Sequence, residues 1–246
     1  MRLKLTLEYD GTNFAGWQRQ DNVVAVQQVV EEALYAVFQH DIPLTVAGRT
    51  DAGVHACGQV AHCDIDDVKG MSPDKIAKAI NAHLLKHAVV VIDGEQVADD
   101  FHARFSATNK LYRYVIVNRQ ARPVIEAERA WHLRGDLDED AMHQAAQTLL
   151  GTHDFTSYRD SECQAKSPVR TLDRLDVVRD GQHVVIETEG KSFLHHQVRN
   201  MVGTLALVGS GKQPVTYPAQ ALAARDRTQA GPTAPAQGLF LARVDY

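Results

Sequence analysis

Residues 46–64 read VAGRTDAGVHACGQVAHCD, with glycine at 48, 53 and 58 and Arg-Thr-Asp between the first two. Strand-like PLTVAG (43–48) leads in and strand-like VHACGQVAHCDI (54–65) leads out, so the charged trio occupies a tight, glycine-bounded turn between two strands. Upstream, Leu3, Leu5, Leu7 and Tyr9 alternate as a half-buried strand ending at Asp10-Gly11. Val26, Val29, Val30, Ala33, Leu34, Val37 and Phe38 then fall on one helical face. Downstream, Ser72-Pro73 reads as a cap plus a proline at the first helical position, opening SPDKIAKAINAHLL, and AVVVIDG closes the set. The order β-α-β-β-α-β is that of the ferredoxin-like split unit.

A second set starts near residue 106. LYRYVIVN is a strand and Asp138 to Leu150 a helix, while RLDVVRDGQHVVIETEG is a hairpin turning at Asp180-Gly181. A long amphipathic helix over Phe193–Val208, a short one near 217–225 and the strand GLFLARVDY complete it. The expectation is an α+β protein of two ferredoxin-like or RRM-like halves, 1–105 and 106–246, whose antiparallel sheets flank a central active-site cleft. The halves look like distant versions of one module, without a residue-level repeat. They are joined by 94–110, which holds the aromatic and basic FHARFSATNK.

The chain has 246 residues, 44% of them apolar, enough for a proper core and against disorder. No apolar run approaches the roughly 18 residues of a membrane helix, and the alternating N-terminus predicts no signal peptide. Cys57, Cys63 and Cys163 form no CxxC pair, which suits a reducing cytoplasm. The net charge of −5 is unevenly spread. Residues 103–125 carry five cations (Arg104, Lys110, Arg113, Arg119, Arg122) and 190–225 carry four (Lys191, Arg199, Lys212, Arg225), with no acid in either. Such runs suit a groove that tracks phosphates, or are scattered solvated charges.

Several chemistries fail on residues. GRTDAG has the glycine spacing of a P-loop, but Val54-His55 stands where Lys-Ser/Thr is needed. Strand alternation puts His55, Cys57 and Cys63 on one face and His62 on the other, a poor start for tetrahedral zinc. No GxSxG elbow and no spaced carboxylate pair occur. What remains is one carboxylate, Asp51, with Arg49 two residues before it. A lone turn aspartate is commonly an Asx-turn residue. A nucleophilic one must stay ionised when a substrate covers it, which a guanidinium assists; Arg49 and Arg199 are available. Tyr112 and Tyr114 alternate in the acid-free strand, as stacking rings or as sheet core.

Seven segments in order, YDGTNFAGWQRQ, GRTDAGVHACGQV, FHARFSATNKLYRYVI, DFTSYR, SPVRTL, FLHHQVRNMVGTL and AQGLFLARVDY, resemble the TruA-type pseudouridine synthase family over nearly the whole chain. Gln197 departs from a usual methionine. The resemblance implies isomerisation of uridine in the tRNA anticodon stem-loop, at positions 38–40. It implies Asp51 as nucleophile, paired with Arg199, and Tyr112 stacking on the uracil and taking part in proton transfer. Leu239 would pack on the base, and Arg49 would hold the flipped nucleotide or fill its place. It implies tRNA as partner, a homodimer bridged by one tRNA, and no metal or other cofactor. Attack at C1′, attack at C6 and abstraction of a sugar proton all remain open for Asp51. The competing reading is a non-catalytic RNA-binding protein of two RRM-like modules, although no RNP signature is evident. A zinc enzyme using the His/Cys strand ranks below both.

Overall fold

A computed structural model describes residues 1–246 as a mixed α+β protein with two compact units, Met1–Thr108 plus Phe240–Tyr246, and Asn109–Leu239. The first unit runs β1 (Arg2–Tyr9), α1 (Val26–Phe38), β2 (Thr45–Val46), β3 (His55–Asp64), α2 (Pro73–Leu84) and β4 (Val89–Val97). Strand β1 lies between β4 and β3, and β2 pairs beyond β3, all antiparallel. Leu3, Leu5 and Leu7 are wholly buried, facing Cys63, Ala61 and Gln59 across the ladder. Helix α1 buries Val26, Val29, Val30, Ala33, Leu34 and Phe38, the stripe its spacing predicts.

Ser72 is the cap residue of α2 and Pro73 opens the helix, as the pattern predicts, with the Ser72 hydroxyl bonding the Asp74 carboxylate rather than a helix amide. One local reading changes. Strand β3 is not regular: Leu7 faces Gln59 while Tyr9 faces Ala56, so Cys57 and Gly58 together oppose Glu8. This bulge shifts the alternation by one residue. His55 and His62 therefore share a face, and Cys63 points to the other, the reverse of simple alternation. Cys57 is exposed and Cys63 buried.

The second unit holds β5 (Asn109–Asn118), β6 (Trp131–Leu133), α3 (Glu139–Gln147), β7 (Gly151–Asp154), β8 (Val169–Leu172), β9 (Arg174–Asp180), β10 (His183–Gly190), α4 (Gln197–Gly209) and α5 (Tyr217–Ala224). Strand β10 lies between β5 and β9, antiparallel to both; β6 runs parallel to β5, and β7 pairs with β8. Helix α3 is capped by the Asp138 carboxylate on the Ala141 amide, and it ends short of Leu150 because the amides of 148–150 each reach back three residues instead of four. Helix α4 starts at Gln197, four residues after Phe193, because His196 adopts a left-handed φ of 60°. The buried Gln197 carboxamide accepts from the Leu194 amide and fixes that entry. The closing strand β11 (Leu239–Asp245), which the pattern grouped with the second half, pairs in parallel with β3 at His55 and Ala56. No helix is long and apolar enough to cross a membrane.

Asn81 on α2 bonds both backbone groups of Val91 on β4, each at 2.8 Å, standing in for a neighbouring strand. Removing it leaves a buried N–H and C=O without partners, at about 1–3 kcal/mol for such a group. Asn81→Leu therefore lowers the unfolding free energy by about that much in urea titration; an unchanged midpoint would contradict the assignment.

Candidate active site

In the first unit, the turn carrying Asp51 is held from both sides. The Val54 amide donates to the Asp51 carbonyl at 3.1 Å, closing the turn itself. The Trp17 amide donates to the Thr50 carbonyl at 3.0 Å, and the Gly53 amide to the Phe14 carbonyl at 3.4 Å. Segment 14–17 is tied in turn to the start of α1, since the Val26 and Gln27 amides donate to the Gly16 and Trp17 carbonyls. Gly16 has φ +91°, and a Cβ there would stand 2.6 Å from the Thr50 oxygen. Only glycine permits both that dihedral and that approach. The motifs YDGTNFAGW and GRTDAG, far apart in the chain at residues 9–17 and 48–53, are thus one interlocked piece of backbone.

Beneath the turn lies a buried polar group. Gln59 donates to the Gly48 carbonyl at 2.8 Å and to the Tyr9 hydroxyl at 3.3 Å, while its oxygen accepts from the Val60 amide at 3.1 Å. The Tyr9 hydroxyl also bonds Thr50 Oγ1 at 2.8 Å. Burial pushes the Tyr9 phenol up to about 12, so it stays protonated at neutral pH. Asp51 itself is half-buried and Arg49 exposed, on either side of buried Thr50. His62 Nδ1 accepts from the Ala103 amide at 3.1 Å, and burial raises the Cys63 thiol to about 12. With Cys63 on the face opposite His55 and His62, and Cys57 exposed, these side chains do not converge on one point as the ligands of a zinc ion would.

In the second unit, Tyr112 and Tyr114 share a face of β5. Tyr114 is fully buried and donates to the Pro235 carbonyl at 2.7 Å. Burial drives its phenol far above the ordinary range, with the Arg199 charge pulling the other way. Tyr112 keeps 9% exposure and meets Phe193 edge-on, ring centres 5.1 Å apart. Both rings are buried, Tyr114 the more deeply. Arg199 on α4 donates from Nε to the Ala234 carbonyl at 2.8 Å, and the Ala234 amide returns a bond to the Arg199 carbonyl at 3.1 Å. Residues 234–235 thus anchor on Arg199 and Tyr114, and a short turn over Ala236–Gly238 delivers buried Leu239.

Sequence reading passed over the residue that organises this region. Asn200 is wholly buried; it donates to the Tyr158 carbonyl and accepts from Thr233 Oγ1 and Arg227, at 2.8, 2.7 and 3.0 Å. Its neighbour Thr204 donates to the Asn200 carbonyl and accepts from the Gly231 amide. The only signal in the sequence was its adjacency to Arg199 in VRNM. His195-His196 turns out to belong with Asp160: His196 Nδ1 lies 2.7 Å from Asp160 Oδ2, and the Asp160 amide donates to the His195 carbonyl.

An α+β protein that mounts a carboxylate on a locked turn fits an enzyme, whereas the basic segments are partly committed internally, with Lys110 buried, Arg113 paired with Glu187 and Arg225 beside Asp154. The family described as tRNA pseudouridine synthase matches residues 6–106 and 145–246, and the chain belongs to that family. Asp51, Arg49, Arg199 and Leu239 fall within the matched stretches and Tyr112 between them. Relatives named tRNA pseudouridine synthase A include that of Rhodospirillum centenum, 55% identical over 245 residues and covering 100% of this chain and 99% of that protein. That of Acidiphilium cryptum is 56% identical over 247 residues, covering 100% and 96%. Among solved structures, one of a Cbf5-Nop10-Gar1 complex aligns at TM-score 0.37 and 11% identity over 83% of this chain and 54% of that one, too remote to bear on the site.

The Glu162 amide bonded to Asp160, with His196 beside it, holds that carboxyl below the usual carboxylate range. A depressed native pKa stabilises the fold above the unfolded value near 4, and the gain is lost as pH falls through the lower native value. Asp160→Asn therefore melts lower than the parent at neutral pH, and the gap closes on acidification below about 4. Parallel melting curves across that range would contradict this.

Proposed function

We propose that this protein isomerises uridine to pseudouridine in tRNA, with Asp51 as the nucleophile and the anticodon stem-loop as the target. The supporting observation is the doubly held Asp51 turn: a carboxylate on a rigid backbone, in a chain that belongs to the tRNA pseudouridine synthase family. In the reaction the bond from C1′ to N1 breaks and a bond from C1′ to C5 forms. The C5 hydrogen leaves as a proton and N1 gains one, so nothing is oxidised or hydrolysed. Asp51 supplies the charge that assists uracil's departure, and Arg199 is its ionic partner. Tyr112 stacks on the displaced base and moves a proton, Leu239 packs against it, and Arg49 holds the extruded nucleotide. Taking a base out of its stack costs a few kcal/mol, less in a loop than in a stem.

The finer architecture belongs to the same reading. The order β4-β1-β3-β2 supports a ferredoxin-like first half, and β5-β10-β9 supports a related second half. The working species is a cytoplasmic homodimer that engages tRNA through the basic segments 103–125 and 190–225. The alternative, an RNA-binding protein without catalysis, accounts for the basic segments but gives the locked turn no task.

Asp51→Asn lowers turnover by at least about 10⁴-fold in a pseudouridine assay on whole tRNA, while tRNA affinity stays near that of the parent. Retained activity would overturn the assignment. Tyr112→Phe loses about 10²–10⁴-fold, the scale of acid–base catalysis; a rate near the parent's would leave the ring stacking alone.

A further inference from the structure

The buried polar group under the turn goes beyond the roles assigned so far. Gln59 and Tyr9 are inaccessible, at 0% and 3% exposure, so neither touches RNA. Apolar side chains would fill the same space at less cost in desolvation. Yet every hydrogen of the Gln59 carboxamide is committed within the first unit, to the Gly48 carbonyl and the Tyr9 hydroxyl. Through Tyr9 the chain of bonds continues to Thr50 Oγ1, whose own carbonyl is held by Trp17. Residues 48 and 50 are therefore pinned by side chains, leaving Arg49 and Asp51 to project from a fixed backbone.

We infer that Gln59 and Tyr9 are positioning residues for the reaction, setting the reach of the Asp51 carboxylate by clamping Gly48 and Thr50. The inference rests on the reading of Asp51 as nucleophile. A buried, fully satisfied hydrogen-bond chain is stiff, because each member is fixed by two others. Its proximity to the reacting group matters because a displacement of about 1 Å can cost 10²-fold in rate. The clamp also reads specificity out of the turn sequence: Thr50 supplies a hydroxyl that neither Ala nor Val would.

The test uses the intact enzyme and whole tRNA in single-turnover reactions at saturating enzyme, with tRNA binding and thermal melting measured on each variant. Tyr9→Phe and Thr50→Val keep shape and remove the hydroxyl link; each slows the chemical step by about 10- to 10²-fold with tRNA affinity within about twofold. Thr50→Ser recovers most of the loss seen in Thr50→Val. The double variant is no slower than Tyr9→Phe alone, because Tyr9→Phe already removes the one bond that Thr50→Val removes. Gln59→Leu behaves likewise where it folds; should it melt out, the two isosteric variants carry the decision. Parent-like rates in Tyr9→Phe and Thr50→Val overturn the inference, and so does a rate loss matched by an equal loss of tRNA affinity. Asp51→Asn is run alongside. If it is inactive while Tyr9→Phe is parent-like, only the positioning role has failed; if it is active, the nucleophile reading has failed and the clamp with it.

Discussion

One buried carboxamide organises the first unit around its turn. Gln59 reaches back 11 residues to hold the Gly48 carbonyl and 50 residues to the Tyr9 hydroxyl. Without it the Gly48 carbonyl would lose its bond in a half-buried setting, and the Arg49-Thr50-Asp51 backbone would be fixed only at Thr50 and Asp51. The interlock with segment 14–17 then completes the support, since Trp17 binds the Thr50 carbonyl and is itself tied to α1. Core, helix and turn are one connected structure, and a carboxylate mounted there loses little freedom that a reaction would have to remove.

The second unit repeats the device with different residues. Asn200, also wholly buried, ties the 155–158 segment, Arg227 and Thr233 together beside Arg199. Arg199 and Ala234 exchange bonds, and Tyr114 grips the next residue, Pro235. In each unit a buried amide ties chain segments together near a charged residue proposed for the chemistry, Gln59 at Gly48, three residues before Asp51, and Asn200 beside Arg199. Polar groups in a core are costly unless satisfied; here each buried amide is bonded at both its nitrogen and its oxygen, which fixes its geometry.

The layers of the fold were legible where periodicity was strong. Leu3, Leu5 and Leu7 alternate, and the α1 stripe is unbroken, so both elements fall where their spacing put them. Geometry set by partners was not legible. The bulge at Cys57-Gly58 depends on pairing with β1 and leaves no trace in a run of small residues, so the faces of His62 and Cys63 came out reversed. The start of α4 was misplaced because FLHHQV continues an apolar pattern that only the left-handed His196 interrupts. Motif and composition put forward Asp51, Arg49, Tyr112 and Arg199 as candidates, and family resemblance added Leu239. Gln59 and Asn200 escaped because an amide carries no charge or periodicity, and their partners lie far along the chain.

The most direct measurement is a crystal structure of the enzyme bound to a tRNA whose target uridine is held unreacted in the Asp51→Asn variant. The account predicts the residue 51 side chain in contact with the sugar or base of an extruded uridine, with the bonds from Gln59 to Gly48 and from Tyr9 to Thr50 intact. A uridine bound away from residue 51, or a turn that has let go of Gln59, would contradict it.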